Sequence, residues 1–401
     1  MSLVPVQEAL ERLLTGAHRL GAESLPLADC ADRILAETLH AQRTQPPFNA
    51  SAMDGFAVRA ADTDKPGARL RVVGAAPAGH PFDGTVGEGE AVRILTGAPV
   101  PEGADSVLIQ ENARMIEDGV IEVLEPVDPG RNVRPRGLDF LEGELLLGNG
   151  RRLDPAALSL AAAANHERLQ VVARPLVAIL ATGDELRPPG SEPGPGQIVS
   201  SNAYGVAALA RAAGARTLDL GIAPDERHAI AAAVDRAVSA QADVIVTLGG
   251  ASVGDHDLVH DVLTAKGAAM DFWKIAMRPG KPLMAGRLGT RRILGLPGNP
   301  VASLVCSHVF LKPLLARLAG RDERPDIRPG VLAEPVPAND HRQDYLRATI
   351  NEEAGRLVAT PAPIQDSSML RILADARALI IRPPHAPPAR DGEPCRLLML
   401  R

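Results

Sequence analysis

The stretch 243–267, DVIVTLGGASVGDHDLVHDVLTAKG, decides the fold class. Its opening, DVIVTLGG (243–250), is a short continuous apolar run closed by glycines, the pattern of a strand buried on both faces. Its end, DLVHDVLTAKG (257–267), reads as a helix stopped by Gly267. The same alternation extends on both sides. PLVAILAT (175–182) is a strand followed by GDEL, and SSNAYGVAALARAAG (200–214) a helix with Ser or Asn as N-cap and Gly214 as C-cap. TLDLGI (217–222), DERHAIAAAVDRAV (225–238), RRILGLPGN (291–299) and PVASLVCSHVFLKPLLARL (300–318) continue strand, helix, strand, helix. Strands of this kind predict a parallel three-layer α/β domain over 173–322, with helices on both faces of the sheet.

Outside this block the texture changes. From 46 to 140 the chain is rich in Gly and Pro between short apolar pieces such as LRVVG (70–74), AVRIL (91–95), SVLIQ (106–110) and VIEVL (120–124). That predicts a β-rich insert. Helical periodicity before it (Val6, Leu10, Leu13, Leu14, then Ile34 and Leu35) and after it (153–169) predicts a discontinuous N-terminal helical and linker domain, 1–45 with 141–172. Strand-like pieces beyond 323 predict a small C-terminal β-barrel over 323–401.

The 401 residues have room for two to four domains. A formal net charge of −6 argues against coating nucleic acid or an anionic membrane, which needs a strong basic excess. The three cysteines, Cys30, Cys306 and Cys395, form no CxxC pair, so neither a disulfide framework nor a zinc knuckle is expected. The start, MSLVPVQEALERLL, reads as an amphipathic helix and not as a signal peptide, and a cytoplasmic protein without membrane attachment is expected.

Ligands of open parallel α/β sheets sit outside the carboxyl ends of the strands. Three peculiar turns fall there: Thr182-Gly183-Asp184-Glu185, then Gly249 to Asp257, and Gly295-Leu296-Pro297-Gly298-Asn299-Pro300. Glycine turns let backbone N–H groups approach an anion, and aspartates such as Asp255 and Asp257 suit Mg²⁺ held against phosphate oxygens. Each turn alone fits equally a tight β–α connection with Asp as a helix N-cap. Lysine is rare, with only Lys65, Lys266, Lys274, Lys281 and Lys312 among 43 basic residues. Two of the five flank Met277-Arg278-Pro279-Gly280, which suggests an oxyanion clamp or, equally, a solvated hairpin tip. In the insert, Asp54 sits between Met53 and Gly55, just after Pro46-Pro47.

Seven motifs occur here in one order: PPFNASAMDGFAV, ILTGAPVPEGAD, RPRGLD, ATGDEL, LGGASVGDHD, MRPGKP and GLPGNPVAS. In this order they resemble the MoeA family of molybdopterin molybdenumtransferases, whose eukaryotic relatives include the E domain of gephyrin. The resemblance covers nearly the whole chain and weakens over the last seventy residues. It implies insertion of molybdate into adenylylated molybdopterin with release of AMP, dependence on Mg²⁺, a homodimer, and contact with the molybdopterin adenylyltransferase.

Carried over motif by motif, the resemblance implies catalytic roles for Asp54, Asp139, Glu185, Asp225 and Asp257, with Asp257, Glu185 and Asp225 as metal ligands. It implies substrate contacts from Thr182, Asp184, Gly249, Gly250, Ser252, Gly254, Pro297, Asn299 and Pro300. Lys274, Arg278 and Lys281 would meet molybdate or the pterin phosphate. Thr96 and Arg134 would close the site from the insert, and Ser367 and Ser368 from the last domain. A sister adenylyltransferase would need neither insert nor tail. A non-catalytic scaffold of the gephyrin kind would have no use for Asp54, Asp139 and Asp257.

Overall fold

The computed structural model describes residues 3–249, 258–322 and 325–400. Two compact units emerge, one of residues 1–23 with 171–401 and one of residues 24–170.

The first unit is built on a six-stranded sheet. Its elements are β1 (Leu176–Thr182), α1 (Asn202–Ala212), β2 (Arg216–Ala223), α2 (Arg227–Ser239), β3 (Val244–Leu248), α3 (Leu258–Ala265), β4 (Ala269–Phe272), β5 (Met284–Leu288) and β6 (Arg291–Leu296). The strand order is β2-β1-β3-β6-β5-β4. Neighbours β2, β1, β3 and β6 are parallel, as expected. The sheet is nevertheless mixed: β5 runs antiparallel to β6, and β4 antiparallel to β5. The two residues Gly289-Thr290 join β5 to β6, with Gly289 at φ +61. So short a link permits only an antiparallel pair, because a parallel one needs a crossover.

Alternate residues of the parallel strands feed two cores. Val177, Ile179, Val246 and Leu294 pack on one face with α1 and the helical run 300–318. Ala178, Leu180, Ile245 and Ile293 pack on the other with α2 and α3. The run 300–318 contains a π turn at Ser307–Leu311. It lies just before Pro313, whose ring cannot fit against an unperturbed preceding turn. Among the described residues this is the one helix long and apolar enough to cross a membrane, and it is mostly buried in the core.

The helix Val6–Leu14 buries Val6, Ala9 and Leu13 in the same core as β1, so residues 3–23 cluster with the α/β part and not with 141–170. Ile34 and Leu35 are not helical. Ile34 bridges Arg152, and the Leu35 N–H donates to the Arg151 carbonyl (2.9 Å).

Beyond residue 325, strands Ile327–Leu332, Gln343–Glu353, Arg356–Pro361, Ala378–Arg382 and Pro394–Met399 close into a five-stranded barrel. Leu332, Ala348, Ala359, Ile380 and Leu397 fill it.

The second unit carries the expected β insert as a six-stranded sheet. Its order is Ser106–Ile109, Gly55–Val58, Glu90–Ile94, Arg69–Ala76, Val120–Val123 and Ala113–Glu117. The helix Pro155–Ala163 completes this unit, with Asp154 capping it through the Ala157 N–H (2.9 Å).

Candidate functional site

The parallel strands β1, β3 and β6 end on one edge, and a cleft of about 800 Å³ opens there. Its walls include Thr182, Gly183, Glu185, Asp225, Gly249, Pro297, Asn299, Pro300 and Ser368. These are the three turns singled out in the sequence, brought together by the sheet. Gly249 sits at φ +92, and a Cβ there would lie 2.8 Å from the Thr182 carbonyl oxygen. Glycine is therefore required twice at this turn, for its backbone conformation and for the close approach of β1. Gly298 stands against it: a Cβ at 298 would lie 3.7 Å from the Gly249 Cα.

Three carboxylates gather on one side. The Asp225 N–H donates to Asp184 Oδ1 (3.1 Å). Loss of water around the Asp225 carboxyl, and then the charges of Asp184 and Glu185, push its pKa above the ordinary value. Glu185 lines the cleft, and its carbonyl accepts the Ile198 N–H (2.8 Å), which sets the short parallel pair 186–187 with 198–199. Asp257, Gly250, Ser252 and Gly254 lie outside the described residues. Among the described residues no three acid, histidine or cysteine groups converge tightly enough to hold a metal ion.

Two hydroxyls near the strand ends, Thr182 Oγ1 and Thr247 Oγ1, are buried and have no partner among the described residues. Thr182 borders the cleft, so its hydroxyl is available to a ligand.

The Pro297–Pro300 turn is fixed from both sides. Asn202 Nδ2 donates to the Gly298 carbonyl (2.7 Å), and Asn299 Nδ2 donates to Ser367 Oγ (2.9 Å). Ser368, the next residue, turns back on Asp366, whose Oδ1 accepts both its N–H (2.8 Å) and its hydroxyl (2.6 Å). The sequence offers Ser or Asn as the cap of this helix; the cap position is Ser201, and Asn202, the first helical residue, braces the neighbouring turn.

The cationic residues separate. Lys281 is exposed and precedes Pro282, which lines the cleft. The Lys274 carbonyl accepts the Val4 N–H (3.1 Å), which ties the chain's first residues to this segment. Arg278 is not at the cleft. Its Nε donates to both Asp344 carboxylate oxygens (2.8 and 2.9 Å), and Asp340 and Asn339 complete its surroundings. Arg278 pairs instead with a nearly buried carboxylate, 66 residues away in the barrel.

Asp54, Thr96, Arg134 and Asp139 belong to the second unit. Asp54 Oδ1 accepts both the Thr96 N–H and its hydroxyl (each 2.7 Å), which holds the Asp54 carboxyl below its ordinary range. Arg134 pairs with Ala50 through the backbone, and the Asp139 N–H donates to the Gln45 carbonyl (3.0 Å).

Comparison with known proteins agrees with this layout. The MoeA N-terminal region (domain I and II) matches residues 4–165. A probable molybdopterin binding domain matches 178–317, and the MoeA C-terminal region (domain IV) matches 329–400. The chain is 34% identical to a molybdopterin molybdenumtransferase of Bacillus subtilis, over 99% of this chain and 94% of that one. It is 39% identical to the Haemophilus influenzae protein of the same name, over 75% and 74%. A molybdopterin biosynthesis MoeA protein from Pyrococcus horikoshii superposes with a TM-score of 0.84 at 30% identity, covering both chains completely. The chain belongs to the MoeA family, the molybdopterin molybdenumtransferases of molybdenum cofactor biosynthesis.

Proposed function

We propose that this enzyme binds adenylylated molybdopterin in the cleft at the ends of β1, β3 and β6, accepts molybdate at the dithiolene, and releases AMP. The observation that carries this reading is the pairing, in one cleft, of glycine turns with a group of carboxylates. Glycine turns present N–H groups to phosphate oxygens, and the helical run from Pro300 adds its dipole. The Thr182 hydroxyl offers one more donor, and the Lys281 ammonium a compact charge for a small oxyanion. With aromatics at 2% of the chain, the pterin is read by hydrogen bonds more than by stacking.

Mg²⁺ is the cation we propose for this side of the cleft. Glu185 and Asp225, together with Asp257, would hold it, and repulsion from Asp184 and Glu185 already favours a cation beside Asp225. When bound, the ion supplies charge neutralisation to phosphate oxygens.

We further propose a cytoplasmic homodimer that receives its substrate from the molybdopterin adenylyltransferase. Phe48, Met53, Leu138 and Leu141, close in sequence to Asp54 or Asp139, are exposed, and exposed apolar side chains suit contact with a second copy of the chain. Substrate binding and AMP release in the presence of molybdate and Mg²⁺ test the reading. Asp225→Asn should bind less Mg²⁺ and release AMP on the order of ~10²-fold more slowly. A parent protein that binds adenylylated molybdopterin and never splits it would support the scaffold reading instead.

A further inference from the structure

We infer that Asn299 and Ser367 form a positioning latch that fixes the C-terminal domain's serine segment as one wall of the cleft. The inference rests on the functional reading above, and assigns these two residues to each other and not to direct contact with substrate.

Asn299 stands at the N-cap of the helical run that starts at Pro300, where an asparagine ordinarily caps its own helix. It makes no such bond, and its amide reaches Ser367 Oγ, 68 residues further along the chain. The Val301 N–H, one of the helix's unpaired donors, is taken by the Ser367 carbonyl (3.0 Å). Ser367 thus caps the helix with its backbone and locks onto the Pro297–Pro300 turn with its side chain.

On the far side the segment is tied to the barrel. Gln365 exchanges two bonds with the Arg347 backbone, accepting its N–H (2.9 Å) and donating to its carbonyl (3.1 Å). Arg347, buried, also donates to the Asp366 carbonyl (3.0 Å). Residues 365–368 are therefore a strap between barrel and turn. Asn299, within the latch, and Ser368, the residue after it, both line the cleft. Cutting the side-chain bond leaves the backbone cap in place but frees Ser368 to shift against Pro297 and Asn299. That loosens the binding surface without removing a reacting group.

The test is a double-mutant cycle on Asn299→Ala and Ser367→Ala, with Ser367→Thr as the variant that keeps the hydroxyl. Each alanine variant should raise KM for adenylylated molybdopterin about three- to tenfold, with kcat within about twofold, as loss of one neutral hydrogen bond predicts. The double variant should be no worse than either single one, and Ser367→Thr should stay near the parent. Hydrogen exchange of the peptide spanning 364–369, read without ligand, should quicken in both alanine variants and not in Ser367→Thr.

Multiplying KM effects would overturn the latch, as would an unchanged KM with a lowered Tm, which marks a helix cap alone. If the parent releases no AMP, the functional reading fails. The exchange experiment then decides the latch by itself: quickened exchange in both alanine variants supports it, and unchanged exchange overturns it.

Discussion

The Asp225 N–H donates to Asp184 Oδ1 while the Asp225 carboxyl is pushed towards protonation by lost hydration and by the charges of Asp184 and Glu185. One residue is thus held by its neighbour's backbone-directed bond and repelled by the same neighbour's charge. Such tension is costly to folding and useful for capturing a cation.

The pH dependence follows from its sign. An acid whose pKa is raised in the folded state binds more protons folded than unfolded, between its ordinary value of 3.8 and the raised one. Stability is lost as pH rises through that window. Asp225→Asn should therefore raise Tm at neutral pH in the absence of Mg²⁺. The gain should fade as pH falls below the window, measured by calorimetry across a pH series. A lowered Tm at neutral pH would contradict this.

Asp54 behaves in the opposite sense. The Thr96 N–H and hydroxyl favour its charged form, so its contribution is present above 3.8 and lost as pH falls through the lowered folded value. Thr96→Val removes the hydroxyl bond and keeps the backbone one. NMR titration should then show the Asp54 carboxyl still below its ordinary range but higher than in the parent.

Arg278→Ala should act on stability more than on substrate binding. Asp344 is 3% exposed and loses its principal counter-charge. An unsatisfied buried charged partner typically costs about 1–3 kcal/mol. Burial already raises the Asp344 pKa against the pull of Arg278, and the variant raises it further. The deficit should shrink as pH falls and Asp344 takes up a proton, as denaturant titrations at pH 7 and pH 5 would show. A large KM increase with unchanged stability would instead assign Arg278 to the oxyanion.

Gly249→Ala meets both a left-handed φ and the Thr182 carbonyl. A loss of about 1–2 kcal/mol is expected from the backbone conformation alone, and weaker substrate binding should accompany it in an equilibrium titration.

Much of this was legible in the sequence, for a physical reason. Strands buried on both faces must be apolar throughout, so β1, β3 and β6 stand out, and their carboxyl ends locate the cleft. The turns at Thr182, Gly249 and Pro297 followed from that placement. What was missed is contact between distant segments. Nothing near Arg278 announces Asp344, and Asn202 looks like any helix cap until Gly298 is beside it. The antiparallel edge escaped because Gly289-Thr290 is a two-residue signal inside a run of charged and apolar residues. Ile34 and Leu35 fit a helical spacing by coincidence, since their true partners, Arg152 and Arg151, lie more than a hundred residues away. For Ser367 and Ser368 the sequence offers only the family resemblance; the fold adds that Ser367 bonds to Asn299 and that Ser368 lines the cleft.

The central claim is that splitting of adenylylated molybdopterin is coupled to molybdate at this cleft. Its most direct test is to incubate the protein with adenylylated molybdopterin and Mg²⁺, add molybdate, and measure AMP released and molybdenum bound to the pterin in the same sample. The account predicts that AMP appears upon molybdate addition, in equal amount to the molybdenum inserted. AMP released at the same rate without molybdate, or molybdenum bound with the phosphoanhydride intact, would contradict it.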